Sequence, residues 1–483
     1  MNTGWISIIV LYAWILAGLY TVRLLPKDKR ANRGLLFAAF FIGPFGLLWI
    51  YLREYKDQLA KLFDFKKQPE EDTQFLDLVI LDSRGKEMAS GHNAANIEVI
   101  NAVKKLLYDA ITKRSSDIFI DPKDDASVVR FRVDGMIRIY DTLLSDKAAA
   151  AISLIKVASG MDIAEKRRPQ DGSFSVVCDG TNTSFRVATV GVYGGEKITI
   201  RVIASENSHR ELTDIGLTPE QLSLIHSGLK LPSGMILMCG PTGSGKTSTL
   251  YSMLGAIDYT MKNVISIEDP IERTVPNISQ MEVNVKADIT FASLLRNSLR
   301  QNPDIICVGE IRDEETAEIA AHAAQTGHLI IATLHSNDNI GTIIRLTDLG
   351  VPLRSIASCL HLIISQRLVR LLCPHCRKPV ENLTDEQRAF CARYNIDPSY
   401  LFTAAGCPEC DHTGFSGRKA VFEMLTMTHE LRAIMERSDS SVSAIQEYIE
   451  RNQGNNSILA ITWQMLHKGE IPLEEFERVN INF

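Results

Sequence analysis

The octapeptide Gly240-Pro241-Thr242-Gly243-Ser244-Gly245-Lys246-Thr247 constrains this chain more than any other stretch. It satisfies G-x-x-x-x-G-K-[ST], a loop whose backbone N–H groups turn inward around a phosphate. Such a loop works between a buried strand and a helix whose N-terminus faces the anion. Both flanks comply. Residues 235–239 form an unbroken apolar run that reads as a buried parallel strand, and residues 247–257 read as a helix. Gly240, Pro241, Thr242, Gly243, Ser244, Gly245, Lys246, Thr247 and Ser248 are therefore the candidate nucleotide-binding residues. Lys246 would reach the β/γ-phosphates of ATP, and the Thr247 hydroxyl would ligate Mg²⁺.

Beyond the loop, strands and helices alternate. The strand at 263–267 ends in Glu268-Asp269-Pro270, that at 303–308 in Gly309-Glu310, and that at 329–333 near His335. Each apolar run delivers a polar residue at its C-terminal end, where open α/β sheets bind ligands. A phosphate-loop ATPase usually has an acidic pair after the central run, with Asp holding Mg²⁺. Here Gly309 stands in the Asp position, so Glu268 is expected to supply the missing acid. One of Glu268 and Glu310 would polarise the attacking water, and the other would order Mg²⁺ through its water shell. The spacing leaves that division open.

The chain has 483 residues, too many for one core. Residues 207–483 are read as an α/β, RecA-like phosphate-loop core, entered through Pro232 and Gly234. Residues 74–205 are read as a smaller α+β domain. It has strand-like stretches at 75–81, 117–120 and 128–133 and a turn at Asp82-Ser83-Arg84-Gly85. Ile97, Ile100, Val103, Leu106, Leu107, Ala110 and Ile111 recur at helical spacing within 96–113. Net charge is −6, which gives no support for a nucleic-acid partner.

Nine cysteines do not form a secreted disulfide framework here. Four fall into Cys373-x-x-Cys376 and Cys407-x-x-Cys410, thirty residues apart. Four thiolates at this spacing suit tetrahedral Zn²⁺, closed and structural, in a module spanning 370–415.

The N-terminus carries two uncharged runs, from Met1 to Val22 and from Gly34 to Leu52. Each is about long enough to span a bilayer as a helix, so residues 1–52 are expected to associate with the membrane. The basic stretch between the runs belongs in the cytoplasm by the positive-inside rule, and so does the nucleotide site. Either the second run is re-entrant, broken at Gly43-Pro44-Phe45-Gly46, or the pair is a plain hairpin that violates the rule. Residues 53–73 form a charged linker.

Several motifs together resemble the secretion ATPases of type II secretion and type IV pilus assembly. Glu268-Asp269-Pro270-Ile271-Glu272 resembles their Asp box, and Gly309-Glu310-Ile311-Arg312-Asp313 their Walker B. Thr326-Gly327-His328 to His335-Ser336-Asn337 resembles their His box. Gln366-Arg367-Leu368-Val369-Arg370 and Arg167-Arg168-Pro169-Gln170-Asp171-Gly172 match too. The resemblance implies a homo-oligomer, a hexameric ring in which the smaller domain closes on nucleotide. Arg186 and Arg201 would approach the phosphates, and His328 and His335 would sense the γ-phosphate or link neighbouring motifs. The cysteine module marks the assembly and secretion branches rather than the retraction branch.

Two departures stand out. Ser116-Asp117-Ile118-Phe119 has Phe where the family has His. The hydrophobic runs stand where the family has a soluble partner-docking domain, so direct anchoring at the cytoplasmic face of the bacterial inner membrane is expected. The function so implied is an ATP-driven motor for pilus or pseudopilus assembly or export, acting on an inner-membrane platform protein. Its rivals are a conjugation or DNA-uptake ring ATPase, which needs a basic pore, and an ATP-binding membrane scaffold with negligible turnover.

Overall fold

A computed structural model describes residues 73–88, 94–203, 211–437, 441–453 and 456–480. The two hydrophobic runs and the linker up to residue 72 lie outside them. Among the described residues no helix is long and apolar enough to cross a membrane.

The first sheet has seven strands: β1 (Val79–Leu81), β2 (Ser115–Pro122), β3 (Ala126–Val133), β4 (Met136–Leu144), β5 (Gln170–Cys178), β6 (Thr181–Val192) and β7 (Gly195–Ile203). Their order is β1-β5-β6-β7-β2-β3-β4, and every pairing is antiparallel. Val128, Arg130 and Arg132 alternate with the buried Val129 and Phe131, so one face is apolar and the other polar. The helices Ala94–Thr112 and Ser145–Ala158 cover the apolar face. Leu107, Ile118, Ile120, Ile155, Phe174, Phe185, Ile198 and Ile200 fill the core between them. Residues 75–81 are only partly extended, because Phe75 to Asp77 belong to the 3-10 turn Thr73–Asp77. The Lys156–Glu196 pair is largely enclosed: Lys156 Nζ lies 2.6 Å from Glu196 Oε1 and donates to the Glu165 carbonyl at the same distance.

The second sheet is built from β8 (Gly234–Cys239), β9 (Val264–Glu268), β10 (Ser279–Glu282), β11 (Ile305–Val308), β12 (Leu329–Leu334), β13 (Leu360–Leu372) and β16 (Phe415–Thr426). A separate two-residue ribbon pairs β14 (Lys378–Pro379) with β15 (Phe402–Thr403). The large sheet runs β10-β9-β11-β12-β8-β13-β16, parallel throughout except for the antiparallel β13–β16 edge. Residues of β8, β9, β11 and β12 are buried on both faces, which explains their continuous apolar runs. The helices Pro219–Leu229 and Lys246–Gly255 pack with one side, where Ile225, Leu250 and Leu254 meet Ile236 and Met238. The helices Phe291–Ser298, Glu314–Gln325 and Asn339–Asp348 pack with the other, around Leu237, Ile306 and Ile330. A further core, with Val369, Leu401, Val421, Ile458 and Phe476, joins β13 and β16 to the helices Asp385–Arg393, Ile458–His467 and Leu473–Asn480.

Polar contacts link the two sheets. Arg418 Nε lies 3.3 Å from Asp134 Oδ1, and the Gly417 N–H donates to Asp134 Oδ2 at 3.2 Å. Lys113 pairs with Asp411 at 3.2 Å.

Candidate nucleotide-binding site

The phosphate loop leaves β8 at its C-terminal end and enters the helix at Lys246. Gly240 has φ +144°, and a Cβ there would lie 2.4 Å from the Gln366 carbonyl. Gly245 caps the helix in the left-handed region, with φ +91°. Both positions need glycine, for approach in one case and for backbone sign in both. Gln366 is therefore the floor of the loop, and its Oε1 accepts from Thr249 at 2.9 Å.

Lys246 is buried and folds back on its own loop. Its Nζ donates to the Gly240 carbonyl at 2.6 Å and to the Pro241 carbonyl at 3.2 Å. Burial depresses the ammonium pKa, and the charge of Glu310 works against that. Ser244 Oγ is buried with no hydrogen-bond partner among the described residues. Thr247 and Ser248 are exposed to the cleft. A buried hydroxyl without a partner, a lysine resting on backbone carbonyls and a free helix N-terminus fit a phosphate group.

The loop opens into a cleft of about 840 Å³ between the two sheets. Glu268, Glu310, Arg201 and His335 line it with Thr242 to Ser248. Glu268 closes β9 and is buried. Its Oε2 accepts from the Tyr251 hydroxyl, and its Oε1 accepts from Ser266 Oγ at 2.8 Å and Gln280 Nε2 at 2.9 Å. Burial, then the bond to Glu268, pushes the Tyr251 phenol pKa well up, so it stays a donor. Glu310 is more open. Arg312 Nε lies 2.8 Å from its Oε2 and His335 Nε2 3.0 Å from its Oε1. Arg312 also reaches Asp269 at 3.0 Å. Gly309 sits where an Asp was expected because the backbone is crowded: its N–H donates to the Ile267 carbonyl at 2.8 Å, and an added Cβ would approach that oxygen to 3.1 Å.

The arginines of the first sheet divide. Arg186 and Arg201 are register partners on β6 and β7. Arg201 faces the cleft and pairs with Asp117 at 3.4 Å. Arg186 donates instead to the Ile271 carbonyl at 3.0 Å, in the loop after Glu268, and is not among the lining residues. Asp117 also holds Arg132 at 3.3 Å, a cleft residue that sequence reasoning missed. The alternation Val129-Arg130-Phe131-Arg132 puts both arginines on the polar face and was its only signal. Arg130 and Arg132 lie over the ring of Phe119 at 5.8 and 5.5 Å. His328 immediately precedes β12, at the opposite end from His335, and its Nδ1 lies 3.2 Å from the Ala323 carbonyl. It does not line the cleft, because a six-residue strand separates the two histidines.

A second group of lining residues was also unforeseen. Arg370 and Arg478 flank the fully buried Glu475, whose carboxylate receives Arg370 Nη2 at 2.5 Å and Arg478 Nη2 at 2.6 Å. Its pKa is lowered: burial pushes it up, but hydrogen bonds from Arg478 and Arg370 outweigh that.

The four cysteines meet at the base of β13. Their sulfur atoms all lie within 4.8 Å of one another. Cys373–Cys407, Cys376–Cys410 and Cys407–Cys410 are separated by 3.9, 3.8 and 3.7 Å. A tetrahedron with Zn–S bonds of about 2.3 Å has S···S edges of about 3.8 Å. The donor set therefore fits zinc, which all four thiolates would hold with no open position. The N–H groups of Cys407 and Gly414 donate to Cys410 Sγ, each at 3.2 Å, as second-sphere support.

The pattern of the family described as "Type II/IV secretion system protein" matches residues 92–478. Type II secretion system protein E of Aeromonas hydrophila is 38% identical over 433 residues, 88% of this chain and 82% of that protein. The type IV pilus assembly ATPase PilB of Pseudomonas aeruginosa is 38% identical over 413 residues, 84% and 72%. The crystal structure of the pilus retraction motor PilT with bound ADP is similar at 25% identity and TM-score 0.54, covering 78% of this chain and 96% of that one. The fold is shared with the Legionella pneumophila ATPase DotB at TM-score 0.60 and 21% identity, covering 79% and 96%. A phosphate loop facing two strand-end glutamates, matched over most of the chain to these proteins, places the chain in the type II/IV secretion system protein family.

Proposed function

We propose that this chain is an ATPase motor that powers pilus or pseudopilus assembly, or type II-like protein export, at the cytoplasmic face of the inner membrane. The convergence of the phosphate loop, Glu268, Glu310 and Arg201 on one cleft carries this reading. Lys246 and the loop N–H groups bind the β- and γ-phosphates of ATP. Thr247 would hold Mg²⁺, which screens charge on the phosphates when bound. Glu310, more open and already tied to His335 and Arg312, would help hold that ion. Glu268, gripped by neutral donors, orients the attacking water. Arg201 supplies positive charge where the phosphoryl group becomes more negative, and Arg186 holds the loop behind Glu268.

Residues 74–205 and 207–483 act as two domains whose relative motion converts turnover into work. Six copies form a ring that turns or pushes a membrane platform protein. The two hydrophobic runs within residues 1–52 anchor it, and zinc at Cys373, Cys376, Cys407 and Cys410 is structural. The experiment is complementation: a bacterium lacking this chain should regain surface pili or the exported protein with the wild-type chain and not with Glu268→Gln. Restoration by Glu268→Gln at wild-type level would contradict the motor reading.

A further inference from the structure

Three donors hold Glu268, and they come from different places. Ser266 sits two residues away on β9, and Gln280 on the neighbouring β10. Tyr251 comes from the helix Lys246–Gly255, five residues beyond the phosphate-loop lysine. An ionised carboxylate offers about four acceptor sites. Ser266 and Gln280 fill those of Oε1, and Tyr251 takes one on Oε2. The one acceptor site left lies on the oxygen that the phenol holds, and Glu268 itself lines the cleft. Tyr251 is in turn fixed. The Arg273 N–H donates to its hydroxyl oxygen at 3.2 Å, and the Arg273 guanidinium lies 4.8 Å from its ring centroid. Gln280 closes the circuit by donating to the Arg273 carbonyl at 2.9 Å.

We infer that Tyr251 is a positioning residue for hydrolysis: its phenol fixes Glu268 Oε2 toward the cleft and links that carboxylate to the helix that carries the phosphate loop. The inference rests on the reading of Glu268 given above. The helix whose N-terminus receives the phosphate also sets, through Tyr251, where the free lone pair of Glu268 points. Loss of the phenol leaves Glu268 held at Oε1 but free to turn about that oxygen. Productive geometry in such a site tolerates little displacement.

The test compares Tyr251→Phe, Ser266→Ala, Glu268→Gln and the double variant Tyr251→Phe/Glu268→Gln in the full-length chain. Single-turnover and steady-state phosphate release are measured together with the affinity of a fluorescent ATP analogue. Tyr251→Phe keeps the ring and the Arg273 contact and removes one hydroxyl. It should lower kcat about tenfold, with KM and analogue affinity changed less than about twofold. Ser266→Ala leaves Gln280 on Oε1 and should lose less than about threefold. In the Glu268→Gln background the Phe substitution should add nothing, because Tyr251 acts through Glu268. Wild-type kcat in Tyr251→Phe, a parallel fall of kcat and affinity, an equal loss in Ser266→Ala, or multiplicative effects in the double variant would each overturn the inference. Wild-type turnover by Glu268→Gln alone would instead remove the reading of Glu268 on which it rests.

Discussion

Glu475→Gln tests the buried brace beside the cleft. The Glu475 side chain has no solvent exposure and accepts five N–H groups: the Arg370 backbone at 2.7 Å, Arg370 Nε and Nη2 at 2.8 and 2.5 Å, and Arg478 Nε and Nη2 at 2.9 and 2.6 Å. Oε1 takes two of these and Oε2 three. An amide at this position turns one oxygen into a donor facing donors, so two or three hydrogen bonds go, together with the negative charge. Removing one partner of a buried pair costs about 3–5 kcal/mol. Arg478 is half exposed and can find water, so about 2–3 kcal/mol is the expectation here. That corresponds to a fall in thermal midpoint of roughly 3–5 °C for a core the size of residues 207–483. The pH dependence has a definite sign. The folded carboxyl pKa lies below its ordinary value of 4.5, so its stabilisation is present above that value and is lost as pH falls through the depressed one. Calorimetry of wild type and variant should show the full gap at neutral pH and a closing gap below pH 4.5. Equal midpoints at neutral pH, or a gap that persists in acid, would refute the reasoning.

Two further outcomes are expected. Elemental analysis should find one zinc per wild-type chain, and Cys373→Ser should lose it and unfold at lower temperature, because an incomplete thiolate set leaves the knuckles unsupported; a wild-type melting profile without zinc would count against the structural role. Arg201→Ala should lower turnover more than tenfold, of the order seen when a charge-stabilising donor is removed, with nucleotide affinity within about threefold. Arg186→Ala should have the smaller effect, since its guanidinium reaches the Ile271 carbonyl rather than the cleft; the reverse ranking would contradict that assignment.

Much of this site is legible in the chain because it is local. The phosphate loop, the strand before it and the helix after it are contiguous, and the strands ending at Glu268, Glu310 and His335 announce themselves by buried apolar runs. The cysteine hooks are legible because metal geometry demands short spacing within each pair. What is not legible depends on long-range register. Nothing around Glu475 indicates that it meets Arg370, 105 residues away. Tyr251 looks like an ordinary apolar position of its helix until β9 and β10 bring Glu268 and Gln280 against it. Arg186 and Arg201 are paired by the sheet, yet small differences in position send one to a loop carbonyl and the other to the cleft. The shortness of β1 has a similar cause, since three residues suffice to pair with β5 at the sheet edge.

Every role assigned in the cleft depends on Lys246 acting on phosphate. Steady-state phosphate release from full-length wild-type protein and Lys246→Ala, at saturating ATP and Mg²⁺, tests it most directly. The wild type should turn over and the variant should lose at least about a hundredfold, because the buried ammonium assigned to the β/γ-phosphates is gone. Turnover by Lys246→Ala at the wild-type rate would contradict it.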